Sequence, residues 1–184
     1  SSVIFPPVAT EDFKLSDTFD DYYLMVGQLV DYKRTDLAVR AFNQIGKRLV
    51  VIGGGDQLKK LKKLAMSNVQ VLGYQDFSTI QKYYSRCRAL IFPGLEDFGM
   101  VPIEAMASGR PVIAYGKGGA LDYVKPGKTG VLFYEQSVKS IIRAVENFEE
   151  EGVSYTSKEI QAFASKFSEQ NFREKITAKL SEHS

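Results

Sequence analysis

The chain has 184 residues, 44% of them hydrophobic and 25% charged, with a net charge of +2. That is enough for one domain with a full core, it is too mildly basic to argue for nucleic acid, and no apolar run approaches the roughly 20 residues that span a bilayer. The single cysteine, Cys87, and single histidine, His183, exclude an internal disulfide and a Ser-His or Cys-His pair built by this chain alone.

A lone cysteine points to a reducing compartment, so the expected location is cytoplasmic. Cys87 reads as a buried structural thiol at a helix end, and His183, next to last, as frayed. The opening SSVIFPPVATEDFK has no initiator Met and reads as the middle of a longer protein.

In chain order, YYLMVG (22–27) is the first run of strand length. TDLAVRAFNQI (35–45) follows with Leu37, Val39, Ala41, Phe42 and Ile45 leaning to one side. RLVVIG (48–53) precedes DQLKKLKKLAMS (56–67), whose leucines share one face and whose lysines form a solvated one. VQVLG (69–73) leads to STIQKYYSRC (78–87), which opens with a capping-box pattern, Ser78 to Gln81. ALIFP (89–93), PVIAYG (111–116) and GVLFY (130–134) complete six strands. Most are apolar throughout, as strands buried on both faces of a parallel sheet must be. SVKSIIRAVENFEEE (137–151) and residues 156–183 are helical, the latter opening with a Thr156–Glu159 box and holding a second cap at Ser168. The alternation predicts a doubly wound α/β domain with about six parallel strands, helices on both faces and C-terminal helices. The core is expected over 15–150, followed by helices over 151–184.

In such folds ligands bind beyond the carboxyl ends of the strands. VIGGGDQL fails the dinucleotide pattern because Leu58 stands where the third glycine belongs, and it reads as a tight turn with Asp56 capping the helix. KPGKTG (125–130) has Asp122 where a phosphate loop needs glycine, and it leads into a strand, so it reads as a turn. EDFGMVPIEAMASG (96–109) differs. Gly94 and Gly99 flank Glu96, Asp97 and Phe98, Pro102 suits a first helical turn, and Gly109 suits a helix C-terminus. The N–H groups of Gly99 to Val101 would face the cleft and could hold phosphate or sugar oxygens. Glu104 is expected in the first helical turn, where favourable helix charge is a competing explanation. Glu96 can equally be an ordinary exposed loop acid.

MVGQLVDYKRTD (25–36) places Lys33 and Arg34 at a helix N-terminus, where the dipole disfavours cations by roughly 0.3–1 kcal/mol. An anionic ligand would offset this; Asp31 and Asp36 nearby offer the bland alternative. No D-x-D pattern occurs, so no metal is expected.

These stretches resemble the C-terminal, nucleotide-sugar-binding half of retaining glycosyltransferases of the GT-B fold, family 4. The hallmark is the pair Glu96 and Glu104 in E-x7-E, within E-x-F-G-x4-E-A-M-A-x-G-x-P-V-I. GQLVDYK, GYQDFSTIQKYYSRCRALIFPG and KGGALDYVKPGKTGVLF resemble further family segments, and residues 1–14 the interdomain connector. GQLVDYKRTDLAVRAFN and AYGKGGALDYV are similar to the WbaZ-type mannosyltransferases of polysaccharide assembly.

The resemblance implies roles. Glu96 would bind donor-hexose hydroxyls. Phe98, Gly99 and Met100 would present backbone amides to sugar and phosphate oxygens. Glu104 would accept from the ribose, and Lys33 would hold and stabilise the leaving diphosphate. Tyr74 and Gln75 would lie near the base. Many relatives carry Arg where this chain has Gln28, so Arg34 is expected to compensate or the phosphate grip to be weaker. The implied reaction is retaining hexosyl transfer from a nucleotide sugar, GDP-mannose being the donor expected from subfamily likeness. No cofactor is expected. The acceptor, a saccharide or lipid-linked species, would be bound by an absent N-terminal domain, with peripheral membrane association of the full-length protein. This chain alone is expected to fold and bind nucleotide weakly without turnover. A 2-epimerase-like sugar-nucleotide enzyme and a non-catalytic binding partner are the alternatives.

Overall fold

The computed structural model describes residues 7–182. Six strands form one sheet: β1 (Tyr23–Val26), β2 (Leu49–Ile52), β3 (Val69–Gly73), β4 (Leu90–Phe92), β5 (Val112–Tyr115) and β6 (Gly130–Phe133). All neighbours pair in parallel, in the order β3-β2-β1-β4-β5-β6. The connecting helices are α1 (Thr35–Ile45), α2 (Leu58–Leu64), α3 (Phe77–Arg86), α4 (Met100–Ala107) and the single turn α5 (Ala120–Tyr123). Beyond the sheet come α6 (Val138–Glu151), α7 (Ser157–Ala164) and α8 (Glu169–Ser181).

The uninterrupted apolar strands are explained by two cores. Leu24, Val50, Ile52, Val112 and Ala114 point to one face, where Tyr84, Ile103, Met106 and Ile160 from α3, α4 and α7 meet them. The alternate residues Tyr23, Met25, Leu49, Val51 and Ile113 point to the other, against Ala38, Phe42, Leu61, Ile141 and Val145 from α1, α2 and α6. Successive strand side chains face opposite ways, so a strand covered twice can carry no exposed polar alternation.

Several predicted ends hold. The Thr156–Glu159 capping box is formed in both directions, Ser168 accepts from the Asn171 N–H, and Gly109 closes α4 at φ +76°. Three do not. The N-cap of α3 is Asp76, whose carboxylate accepts from the Thr79 N–H. Ser78 instead donates to Asp76, and Gln81 donates to the Asp12 carbonyl. Asp56 makes no cap: α2 starts after Gln57 without a side-chain cap and is shorter than predicted. Glu104 is the fifth residue of α4 rather than a first-turn acid, because the helix already begins at Met100 and takes Pro102 into its first turn.

Residues 7–14, read as part of a connector, pack closely on the domain. The Val8 N–H donates to the Phe167 carbonyl at 2.9 Å, and Phe13 stacks edge-on against Phe77 and Tyr84. Arg110, only 4% exposed, donates to the carbonyls of Ser16, Thr18 and Ser85 and so ties the following segment to α3. Cys87 is buried at the end of α3, and desolvation pushes its thiol up to about 12, as suits an inert core residue. His183 lies outside the described residues.

Candidate functional site

The strand order reverses direction between β1 and β4: the chain winds outward through β2 and β3, returns, then winds the other way through β5 and β6. The loops leaving the carboxyl ends of β1 and β4 therefore diverge over an open crevice, the place where ligands sit in doubly wound sheets. These are the two loops that carry the candidate residues.

Val30 leaves β1 extended, and Asp31–Lys33 make one 3-10 turn. Arg34 then enters α1 in the left-handed conformation, φ +54°, the single non-glycine with positive φ among the described residues. Such backbone costs roughly 1–2 kcal/mol in an L-residue. It is a strained turn, and Lys33 stands at its head.

Across the crevice, Gly94 in the β4–α4 loop lies against this turn. A Cβ on Gly94 would stand 2.9 Å from the Lys33 Cα and 3.1 Å from the Tyr32 carbonyl oxygen. Only a glycine lets the two loops come this close. The same loop is pinned from behind, where the Gly119 N–H donates to the Glu96 carbonyl at 2.8 Å. Held on both sides, Glu96 meets Lys33, and the two side chains form an ion pair with each about four-fifths buried. Burial lowers the Lys33 pKa from its ordinary value, a push that the adjacent carboxylate opposes.

A cleft of about 680 Å³ opens here, lined by Tyr32, Lys33, Leu95, Glu96, Asp97, Phe98, Met100 and Val101. Gly99, the N-cap of α4, has no side chain to satisfy the first N–H groups of the helix, so the chain offers no internal cap there. Lys33 also borders a hollow walled by Gly27, Gln28, Thr35, Phe92 and Pro93. The crevice thus combines a cation, a carboxylate and a helix N-terminus within one concavity, a donor and acceptor set suited to an anion joined to a polyhydroxylated group.

The remaining candidates are placed as follows. Gln28 is exposed beside Lys33. The Arg34 guanidinium is held by Asp36 at 3.2 and 3.3 Å, turned to its own helix. Phe98 sends its ring into packing against Tyr123 and Phe167 and is also among the residues that line the cleft. Tyr74, 83% exposed, and Gln75 sit beyond the end of β3 on the same carboxyl edge, away from the cleft itself. Glu104 lies one turn along α4 from Met100, partly exposed and just beyond the residues that line the cleft. Its carboxylate accepts a 2.9 Å hydrogen bond from the Tyr84 hydroxyl, and burial raises its pKa above the ordinary value. Among the described residues no cluster of three or more His, Cys, Asp or Glu could hold a metal ion, and no helix is long and apolar enough to cross a membrane.

Sequence reasoning missed the Lys33–Glu96 pair, the role of Gly94 and the Tyr84–Glu104 bond. The first two depend on the strand order, which sets the loops after β1 and β4 side by side and which the apolar runs do not give. The third had only a faint trace, the helical spacing that puts Ile80, Tyr84 and Cys87 on the inward face of α3.

The family model of the glycosyl transferases group 1 matches residues 10–167. The chain belongs to this family. A glycosyltransferase of Methanocaldococcus jannaschii is 32% identical over 133 residues, covering 67% of this chain and 34% of the relative. A GDP-mannose-dependent alpha-(1-6)-phosphatidylinositol monomannoside mannosyltransferase of Mycobacterium tuberculosis is 31% identical over 138 residues, 65% of this chain and 36% of that protein. This group 1 glycosyltransferase chain therefore spans about a third of the length of the curated relatives it matches. Among solved structures, Anabaena HepE in complex with UDP and glucose superposes with a TM-score of 0.83 at 20% identity, over 98% of this chain and 56% of that one. A sucrose-phosphate synthase from Thermosynechococcus elongatus gives 0.84 at 23% identity, over 100% and 53%. At these identities the likeness is one of fold, the doubly wound parallel α/β domain that these GT-B glycosyltransferases share.

Proposed function

We propose that this domain binds the nucleotide-sugar donor of a retaining hexosyltransferase, with GDP-mannose as the donor, and that a partner domain supplies the acceptor. The observation that carries this reading is the meeting of Lys33 and Glu96 at the β1/β4 switch point, beside the uncapped start of α4. On this reading donor binding separates the pair. Lys33 turns to the diphosphate, Glu96 accepts from hexose hydroxyls, and the amides of Gly99 to Val101 hold the oxygens between. Because Asp36 holds Arg34 and Gln28 is neutral, the phosphate grip rests on Lys33 and the helix N-terminus. Negative charge growing on the leaving diphosphate would be stabilised there, which is where electrostatic preorganisation accelerates transfer. Glu104 accepts from the ribose, and Tyr74 and Gln75 lie toward the base. The mannose assignment is supported by the mycobacterial relative's GDP-mannose dependence and by an O-antigen chain mannosyltransferase of Salmonella typhimurium, 29% identical over 121 residues; the solved HepE holds UDP.

A thermal-shift panel of GDP-, UDP- and ADP-sugars tests the reading, since a ligand that binds only the folded state raises the melting temperature more the tighter it binds at a given concentration. GDP-mannose is expected to give the largest shift, and Glu104→Ala to abolish most of it. A shift with UDP-sugars alone would overturn the mannose assignment, and no shift with any of them would overturn donor binding.

A further inference from the structure

Tyr84 is wholly buried, yet it ends in a hydroxyl. Its ring packs edge-on against Phe13 at 5.6 Å, inside the layer formed by α3, α4 and α7. A phenylalanine would fill that space equally well and would leave no polar atom to satisfy. The hydroxyl's partner is the Glu104 Oε2 at 2.9 Å, reached from α3 to α4 across 20 residues of sequence. Among the described residues, no other hydrogen bond is made to the Glu104 carboxylate.

We propose that Tyr84 is the positioning residue for Glu104: its phenol fixes one carboxylate oxygen from inside the core, so that the other is presented to the cis-diol of a ribose. The inference rests on Glu104 being the ribose acceptor and adds the group that aims it. A glutamate has three side-chain torsions, and an acceptor for two adjacent hydroxyls must hold a fixed plane. The phenol supplies that restraint from a ring packed wholly inside the core. It also acts on charge: burial raises the Glu104 pKa, and donation from Tyr84 lowers it, favouring the ionised acceptor.

Tyr84→Phe tests this in the 184-residue chain, by NMR titration with GDP and UDP and their 2′-deoxy counterparts across a range of pH. The expected result is an affinity loss of about tenfold or more for the ribonucleotides, the scale of one hydrogen bond to a charged group. The deoxynucleotides lose little, so the preference for ribose collapses. The pH at which ribonucleotide affinity is half lost moves upward, because Glu104 without its donor takes up a proton sooner. A merely structural role would leave both the ribose preference and that midpoint unchanged, and this result overturns the proposal. Should Tyr84→Phe fail to fold, 3-fluorotyrosine at position 84 keeps the shape and donates more strongly. It is expected to move the midpoint downward, and an unmoved midpoint again overturns the proposal. Glu104→Ala separates the two levels. If it leaves ribose preference intact, the ribose reading of Glu104 falls and Tyr84 with it. If it abolishes the preference while Tyr84→Phe does not, only the Tyr84 proposal falls.

Discussion

Lys33 carries its charge at the start of α1, where the helix dipole opposes it, and in a crevice that desolvates it. Glu96 answers that charge. Lys33→Ala should weaken nucleoside diphosphate binding about 10- to 100-fold, the range of a charge-assisted hydrogen bond, while leaving nucleoside binding nearly unchanged; calorimetry with GDP and guanosine checks this. Glu104 has an opposite signature. Its folded-state pKa lies above the ordinary 4.5, so the folded protein binds that proton more readily than the unfolded chain. The stability this contributes is present below the unfolded value and lost as pH rises through the folded one. At pH 7 the buried carboxylate therefore costs stability. Glu104→Gln should melt higher than the parent at pH 7, and its advantage should shrink as pH falls toward 4.5. The placement of Lys33 and Glu96 was legible in the sequence because each sits in a loop after an apolar strand. Their mutual pairing was not, because it joins distant segments that only the strand order brings together, and Tyr84 behind Glu104 left no more than the inward spacing of α3.

At the scale of elements, the β4–α4 unit decides the geometry. Gly94 allows the loop to touch the Lys33 turn, so Gly94→Ala should push the loops apart and lower nucleotide affinity severalfold, with a smaller effect on melting temperature; parallel binding and melting curves check the two. Away from the site, Thr156→Ala removes half of the capping box that starts α7 and should cost about 1 kcal/mol in denaturant unfolding, with no effect on binding. The helices were legible from their spacing, but some starts were not. Asp76 rather than Ser78 is the cap, since Asp76 is the extended residue just outside the helix and its carboxylate reaches the Thr79 N–H, whereas Ser78 already lies inside the first turn. α4 begins two residues before Pro102, because the first three N–H groups of a helix need no internal partner and a proline among them loses nothing.

For the molecule as a whole, alternating strands and helices implied a parallel sheet. The order β3-β2-β1-β4-β5-β6 then turned two loops 60 residues apart into one crevice. The chain spans about a third of its curated relatives, and on the proposed reading it holds the donor side of the reaction. On its own it should bind nucleotide weakly and show no sugar transfer; a radiolabelled-donor assay that detects turnover by this chain would contradict that division of labour. A second concavity of about 410 Å³, lined by Asp20, Asp21, Tyr22, Arg48, Lys82 and Arg86, lies toward the amino ends of β1 and β2 and offers a rival address for an anion. The most direct measurement is therefore a titration of the isotopically labelled chain with GDP-mannose, following every backbone amide. The account predicts the largest shifts at Lys33, Gly99, Met100 and Val101. Shifts centred instead on Arg48 and Arg86, or none at millimolar ligand, would contradict it.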